Sequence, residues 1–346
     1  MYFGLSEEQE FFQETISRFL EGESTIGAIR NFAQGNNPDF PESIHSGLLE
    51  LGINGLIIPE EYGGLEQDLL SAAAVSETLG AGVAISPFIG SYVMAPYAII
   101  KSGSEAQKDK YLKGIVEGSV RFGVGLTEFV ASREGAKITI ESGKANGRAL
   151  FVFDANNATH FLLSDSSGQL FIIDAKTKGL DIIELTTVDK TSSFVELIIK
   201  DVEIDILVNQ SNHQNLTQRV VDLGRLLIAA DSLGASQVMI NKSVSYSKER
   251  KQFGRVIGSF QAVKHMCAEM TANIEPCYSL IWYTAHCMDH IPEESQLMAS
   301  HCKAHVSEVA SSIAKTATEV HGGMGFTDEL GLHYWFKRIG LNRQLL

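Results

Sequence analysis

The chain has 346 residues, 44% apolar and 20% charged, which is globular composition with length for two or three domains. Its 28 Lys and Arg against 42 Asp and Glu leave a formal net charge of −14. That balance argues against a nucleic-acid or anionic-membrane surface, so any phosphate ligand must be met by local cations. The four cysteines, Cys267, Cys277, Cys287 and Cys302, match no zinc spacing and are expected as reduced packing thiols of a cytoplasmic protein. Met1 to Glu8 has neither the basic nor the apolar region of a secretory signal, and no apolar run reaches the ~18 residues of a membrane span.

Ser6 followed by Gln9 has the form of a capping box, and Phe12, Ile16, Phe19 and Leu20 then recur at helical spacing, so a helix opens the chain. Helical patterns continue to about residue 118, one ending at Gly52 and another expected near Leu69 to Leu79 after the turn Pro59-Glu60-Glu61-Tyr62-Gly63-Gly64. From Phe122 to Val208 the pattern changes to short β-rich runs: Phe122 to Thr127, Leu150 to Phe153, His160 to Leu163, Leu170 to Ile173 and Phe194 to Ile199. Turn clusters such as Asp165-Ser166-Ser167-Gly168 separate them, as in a small antiparallel sheet or barrel. After Asn209 helix returns in three apolar stripes, the first through Leu216, Val220, Leu223 and Leu227. The expectation is an α+β multidomain chain: an N-terminal α-helical domain (1–118), a central antiparallel β-domain (119–208) and a C-terminal four-helix bundle (209–346).

The stretch Glu249 to Ala262 concentrates chemistry between two helical patterns. Arg250, Lys251 and Arg255 supply cations, Gln252 and Gln261 side-chain amides, Phe253 and Phe260 aromatic rings, and Gly254 and Gly258 close backbone approach. His301 and His305, four apart, would share a helix face, but no acidic partner completes a metal motif, so no metal is expected.

Three motifs in this order resemble the acyl-CoA dehydrogenase family over nearly the whole length. Pro59 to Gly64 is similar to its N-terminal turn, Arg250 to Gly254 with Ser259-Phe260-Gln261 to its flavin segment, and His321-Gly322-Gly323-Met324-Gly325-Phe326-Thr327 to its C-terminal glycine turn. The resemblance implies FAD and oxidation of an acyl-CoA thioester between Cα and Cβ. A carboxylate base removes a Cα proton while hydride leaves Cβ. It also implies that Arg250, Gln252, Phe253, Gln261, Gly322 and Gly323 serve the FAD of a neighbouring subunit, with Glu319 beside the diphosphate. Leu126, Thr127 and Phe151 would then face the flavin ring, and Asp222 and Arg225 the pantetheine arm of CoA.

Several positions depart from the family pattern. Phe129 to Glu134 replaces Pro-Gly-Ala-Gly-Ser-Asp, Phe153 replaces a threonine that bonds the flavin, and the acidic Glu319 stands where glutamine is usual. No Tyr-Glu-Gly segment follows Phe336-Lys337-Arg338, and Gly224 occupies the alternative base position on the helix after the β-domain. Asp231, seven residues on and nearly on the same face, is the candidate base. Flavin contacts for a neighbour are kept while ring and base positions are altered, which suggests one half of an α2β2 acyl-CoA dehydrogenase for bulky, steroid-side-chain-like acyl-CoAs. Its electrons would pass to an acceptor of the electron-transfer flavoprotein type. The alternatives are a homotetramer using Asp231, with Gly224 leaving room for a large acyl group, and a flavin-free structural or regulatory paralogue.

Overall fold

The computed structural model describes residues 4–131, 136–207 and 213–346. The capping box forms: Ser6 Oγ accepts from the Gln9 N–H at 3.2 Å and Gln9 Oε1 from the Ser6 N–H at 2.9 Å, starting α1 (Glu7–Glu23). Next come α2 (Ile26–Ala33), capped by Thr25, and α3 (Phe40–Glu50), which stops two residues before Gly52 at φ +79°. α4 (Leu69–Ala81), α5 (Ala95–Ser102) and α6 (Glu105–Val116) follow, the last begun by a second capping box, Ser104 with Gln107. Between α4 and α5 the stretch Phe88–Met94 winds as a π-helix.

The central strands are β1 (Phe122–Gly125), β2 (Lys137–Glu141), β3 (Lys144–Phe153), β4 (His160–Ser164), β5 (Leu170–Asp174), β6 (Leu180–Leu185), β7 (Phe194–Glu203) and β8 (Asp205–Ile206), with a single helical turn, α7 (Thr127–Val130), after β1. They order as β6-β7-β3-β1-β4-β5-β8, with β2 paired to β3. The sheet is mixed rather than antiparallel, because β1 pairs β4 in parallel, Phe122 opposite His160 through Gly125 opposite Leu163. The cause is topological: β3 and β4 flank β1 on opposite sides, and β1 already runs antiparallel to β3. Three strands escaped the pattern: β2, a strictly alternating but five-residue run, β6, an edge strand whose Ile182 and Ile183 are both exposed, and β8, which is two residues long.

The last part is helical: α8 (His213–Glu249), a two-strand hairpin β9 (Lys251–Gln252) and β10 (Arg255–Val256), α9 (Gln261–His290), α10 (Pro292–His321) and α11 (His333–Gln344). The single stripe expected on the first of these is corrected: from Val220 to Ser236 every side of α8 is buried except at Arg225. By length and hydropathy it is one helix, among the described residues, that would pass for a membrane span, and 83% of its apolar window is buried inside the fold.

The chain divides into two compact units. The first comprises residues up to Ile44, Ala73–Ala84 and Arg225–Leu345, and the second His45–Ala72, Ile85–Gly224 and Leu346. Within the first, α4 and α8 cross at glycines, where a Cβ on Gly80 would lie 2.0 Å from the Asp231 carbonyl and one on Gly234 1.9 Å from the Glu77 carbonyl. Only hydrogen fits there. Ser76 Oγ seals the crossing by donating to the Leu227 carbonyl at 2.8 Å. Beside it, burial pushes the Glu77 carboxyl up to about 7, against a smaller opposing hydrogen bond from Gln13.

Because its folded pKa is raised, Glu77 binds its proton more tightly in the folded than in the unfolded chain. Its contribution is therefore full below about pH 4.5 and is lost as pH rises through about 7. Glu77→Gln is expected to remove that dependence, gaining up to about 3 kcal/mol over the parent at pH 8 and nothing at pH 4, as read by urea denaturation.

Candidate functional site

The hairpin after α8 is built by its turn. Phe253 at φ +52° and Gly254 at φ +78° are both left-handed, as a two-residue type I′ connection requires. A phenylalanine there is strained. The Ile257 N–H donates to the Arg250 carbonyl at 2.8 Å and closes the base of the arm. The Phe253 ring is 92% exposed and its nearest aromatic neighbour is Phe260, edge-on at 6.2 Å, over which the Arg255 guanidinium lies at 3.9 Å. Arg250, Lys251 and Gln252 are exposed on the arm, and Gln261 is exposed at the first turn of α9.

The glycine turn ends α10. Gly322 takes φ +57°, and a Cβ on either Gly322 or Gly323 would meet nothing within 4 Å. The turn is open, with Phe326 79% exposed and Glu319 exposed one helical turn before it. Beneath it His321 is buried, its Nδ1 2.7 Å from the Ala317 carbonyl and its ring 4.7 Å from Tyr246. Burial pushes this imidazole below the usual range, the carbonyl contacts opposing. Tyr246 lies one helical turn before Arg250, so this stack sets the arm and the glycine turn beside each other. A guanidinium, a side-chain amide and the exposed backbone of the turn, whose Gly322 N–H is itself taken by the Glu319 carbonyl, form a set that fits a diphosphate, with the Glu319 carboxylate an opposing charge.

The sheet carries a second group. Leu126 is buried at the end of β1, and the Thr127 hydroxyl donates to the Leu150 carbonyl at 2.6 Å. There the β3–β7 register slips between Ala149 and Val152, and Phe151, at φ +53°, projects half-exposed from the bulge. Phe153 is buried and offers no hydroxyl. Glu128 is buried, its carboxyl raised by desolvation. Of the altered stretch after it, Ser132, Arg133 and Glu134 lie outside the described residues.

On α8, Asp222 is buried and accepts from Gln218 Nε2 at 2.9 Å, while Arg225 is half-buried. The room expected at Gly224 is not there: a Cβ would lie 2.4 Å from Leu346 Cδ1 and 2.8 Å from Met94 Sδ, side chains that its sequence neighbourhood does not announce. Asp231 as base is also corrected. Its carboxylate is buried against Arg338, with Nε 2.9 Å from Oδ1 and Nη2 2.6 Å from Oδ2, and Asn342 Nδ2 donates to Oδ1 at 2.7 Å. A base must offer a free lone pair to the substrate's Cα hydrogen, whereas both oxygens here are held by donors of α11. Among the described residues no group of three His, Cys, Asp or Glu side chains could hold a metal, and His301 and His305 are both exposed.

Two family models match the chain: the acyl-CoA dehydrogenase N-terminal domain over residues 6–119 and the acyl-CoA dehydrogenase C-terminal domain over 215–345. The chain belongs to the acyl-CoA dehydrogenase family. It is 30% identical to the short-chain-specific acyl-CoA dehydrogenase of Megasphaera elsdenii over 82% of this chain and 80% of that one. With the acyl-CoA dehydrogenase IpdE2 of Mycolicibacterium smegmatis it shares 28% identity over 99% and 95% of the two chains. Among solved structures, the Tcur3481–Tcur3483 steroid ACAD superposes with a TM-score of 0.86 at 26% identity, covering 97% of this chain and 92% of that one. As an acyl-CoA dehydrogenase the chain is an oxidoreductase acting on CH–CH bonds, and its cofactor is FAD.

The packing at Gly224 has a direct consequence. Gly224→Val should cost about 1–3 kcal/mol in chemical denaturation by overfilling the space, and Leu346→Ala in the same chain should recover most of it.

Proposed function

We propose that this acyl-CoA dehydrogenase works as one subunit of an α2β2 assembly, lending flavin contacts to a homologous partner that completes the catalytic site. The observation that carries the reading is the arm itself. Arg250, Gln252 and Phe253 stand out from the chain on a strained turn, next to an open Gly322-Gly323 turn, and nothing in their own unit covers Phe253. In this reading they hold the diphosphate side of a neighbour's FAD, with Gln261 and Glu319 at its margin. The bound flavin supplies the hydride acceptor. Leu126, Thr127 and Phe151 would contact a ring, and Asp222 and Arg225 the pantetheine arm of acyl-CoA.

Met94 and Leu346 favour this reading over a self-sufficient homotetramer, because they fill the place over Gly224 with apolar groups, and Asp231 is already neutralised by Arg338. The steroid ACAD neighbour suggests a bulky, steroid-derived acyl-CoA as substrate of the assembly, and a relative described as a subunit of a caffeyl-CoA reductase–Etf complex suggests an electron-transfer flavoprotein as acceptor.

The test is co-expression with a homologous dehydrogenase chain encoded beside it. A yellow, active complex forming only with the partner is the expected result, and yellow colour with activity from this chain alone overturns it. Within the complex, Arg250→Ala should lower the flavin-to-chain ratio at least tenfold, read from the absorbance spectrum, without changing the circular dichroism.

A further inference from the structure

The glycine turn is held from two sides. On its inner side, a Cβ on Gly325 would lie 2.6 Å from the Thr318 carbonyl and 3.2 Å from His321 Cβ, so the backbone rests directly on α10. On its outer side the chain runs through Thr327 to Gly331, and its main anchor comes from almost 300 residues away. Arg30, on α2, donates from Nη2 to the carbonyls of Asp328 at 2.6 Å and Glu329 at 2.9 Å, while its Nε lies 3.1 Å from Asp328 Oδ2, out of line for a hydrogen bond. The same carboxylate accepts from Tyr334 Oη at 3.4 Å and faces His333 Nε2 at 3.5 Å. Three residues on, Gly331 at φ +69° presses against α2 so closely that a Cβ would meet Ile26 Cγ2 at 2.5 Å.

We infer that Arg30 is a positioning residue for the flavin site: its guanidinium clamps Asp328 and Glu329 onto α2 and so fixes the exposed backbone around Gly323 for the diphosphate. The inference rests on the reading that Gly322 and Gly323 face FAD. The turn needs such a clamp for physical reasons. Gly322, Gly323 and Met324 are exposed, and two adjacent glycines lose more conformational entropy on ordering than any other pair. Backbone N–H groups bind phosphate well only when they are held in place beforehand. A guanidinium suits the task better than an ammonium, since one nitrogen of the group takes two successive carbonyls while its delocalised charge still lies beside the Asp328 carboxylate.

Hydrogen exchange of residues 322–332 and FAD affinity, both measured on the co-expressed complex, test this. Arg30→Met should speed exchange in that segment at least tenfold and weaken FAD binding by a similar factor, leaving exchange in α8 and α9 at the parent rate. Arg30→Lys, which keeps the charge but not the fork, should recover less than half of the affinity on a logarithmic scale, and it serves as the test if the methionine variant fails to fold. Unchanged exchange in 322–332 overturns the clamp. Faster exchange with unchanged FAD affinity overturns its role at the cofactor. A parent complex that takes no FAD overturns the underlying reading, and the exchange measurement then still reports on the clamp by itself.

Discussion

Two charges taken out of water must find each other, and in the helical unit that requirement decides how the helices meet. Asp231 on α8 and Arg338 on α11 are both buried, the guanidinium forking onto the carboxylate while its third nitrogen, Nη1, donates to the Ala84 carbonyl just past α4 at 2.9 Å. Asn342, one turn further along α11, binds both Asp231 and Ser232. A fork, an amide and a main-chain oxygen can be satisfied together in one arrangement only, so three elements far apart in sequence are locked in register. Such a pair adds little net stability over a well-packed apolar core, but loss of either partner leaves the other charge stranded at a cost of about 3–5 kcal/mol.

That lock explains why α8 carries so many small side chains. Gly80 and Gly234 bring α4 and α8 to backbone contact, which sets Asp231 at the depth where α11 can reach it. The helix is buried on all sides through this stretch, so the usual division into an apolar and a polar face disappears and each polar residue must be answered by a named partner. Ser232 and Ser236 satisfy themselves by donating one turn back, to Ile228 and Ser232, and Asp231 cannot. Beyond Ser236 exposed positions return, and the helix delivers Tyr246 under His321 and Arg250 to the base of the arm.

Much of the architecture was legible because it rests on local rules. Ser6 caps a helix within four residues, Gly52 stops one, and the runs at His160 and Leu170 are apolar enough to be strands whatever their partners. The parallel pairing of β1 with β4 was not legible, since it follows from which strand lies between which. The glycine turn and the arm were found from motif order, whereas the roles of Gly224 and Asp231 were misjudged because their neighbours are distant in the chain. Met94 and Leu346 reach Gly224 from 130 and 122 positions away, and Arg338 and Asn342 reach Asp231 from more than a hundred. Residue type can suggest a base, but only packing shows whether a carboxylate has a lone pair to give.

Two exposed aromatic residues, one in each unit, share a further property. Phe253 and Phe151 both adopt left-handed backbone, at φ +52° and φ +53°, a conformation that costs a bulky residue about 1–3 kcal/mol. Each is held by a short hydrogen bond beside it, Ile257 to Arg250 in the arm and Thr127 to Leu150 at the bulge. Glycine would take either backbone without strain, and at Phe253 the residue kept there is 92% exposed. A flat apolar face presented on a stiff backbone loses little entropy when a planar ring or a partner's surface covers it. Under the proposed assembly, the strain at Phe253 is pre-organisation for a group that a neighbouring subunit supplies.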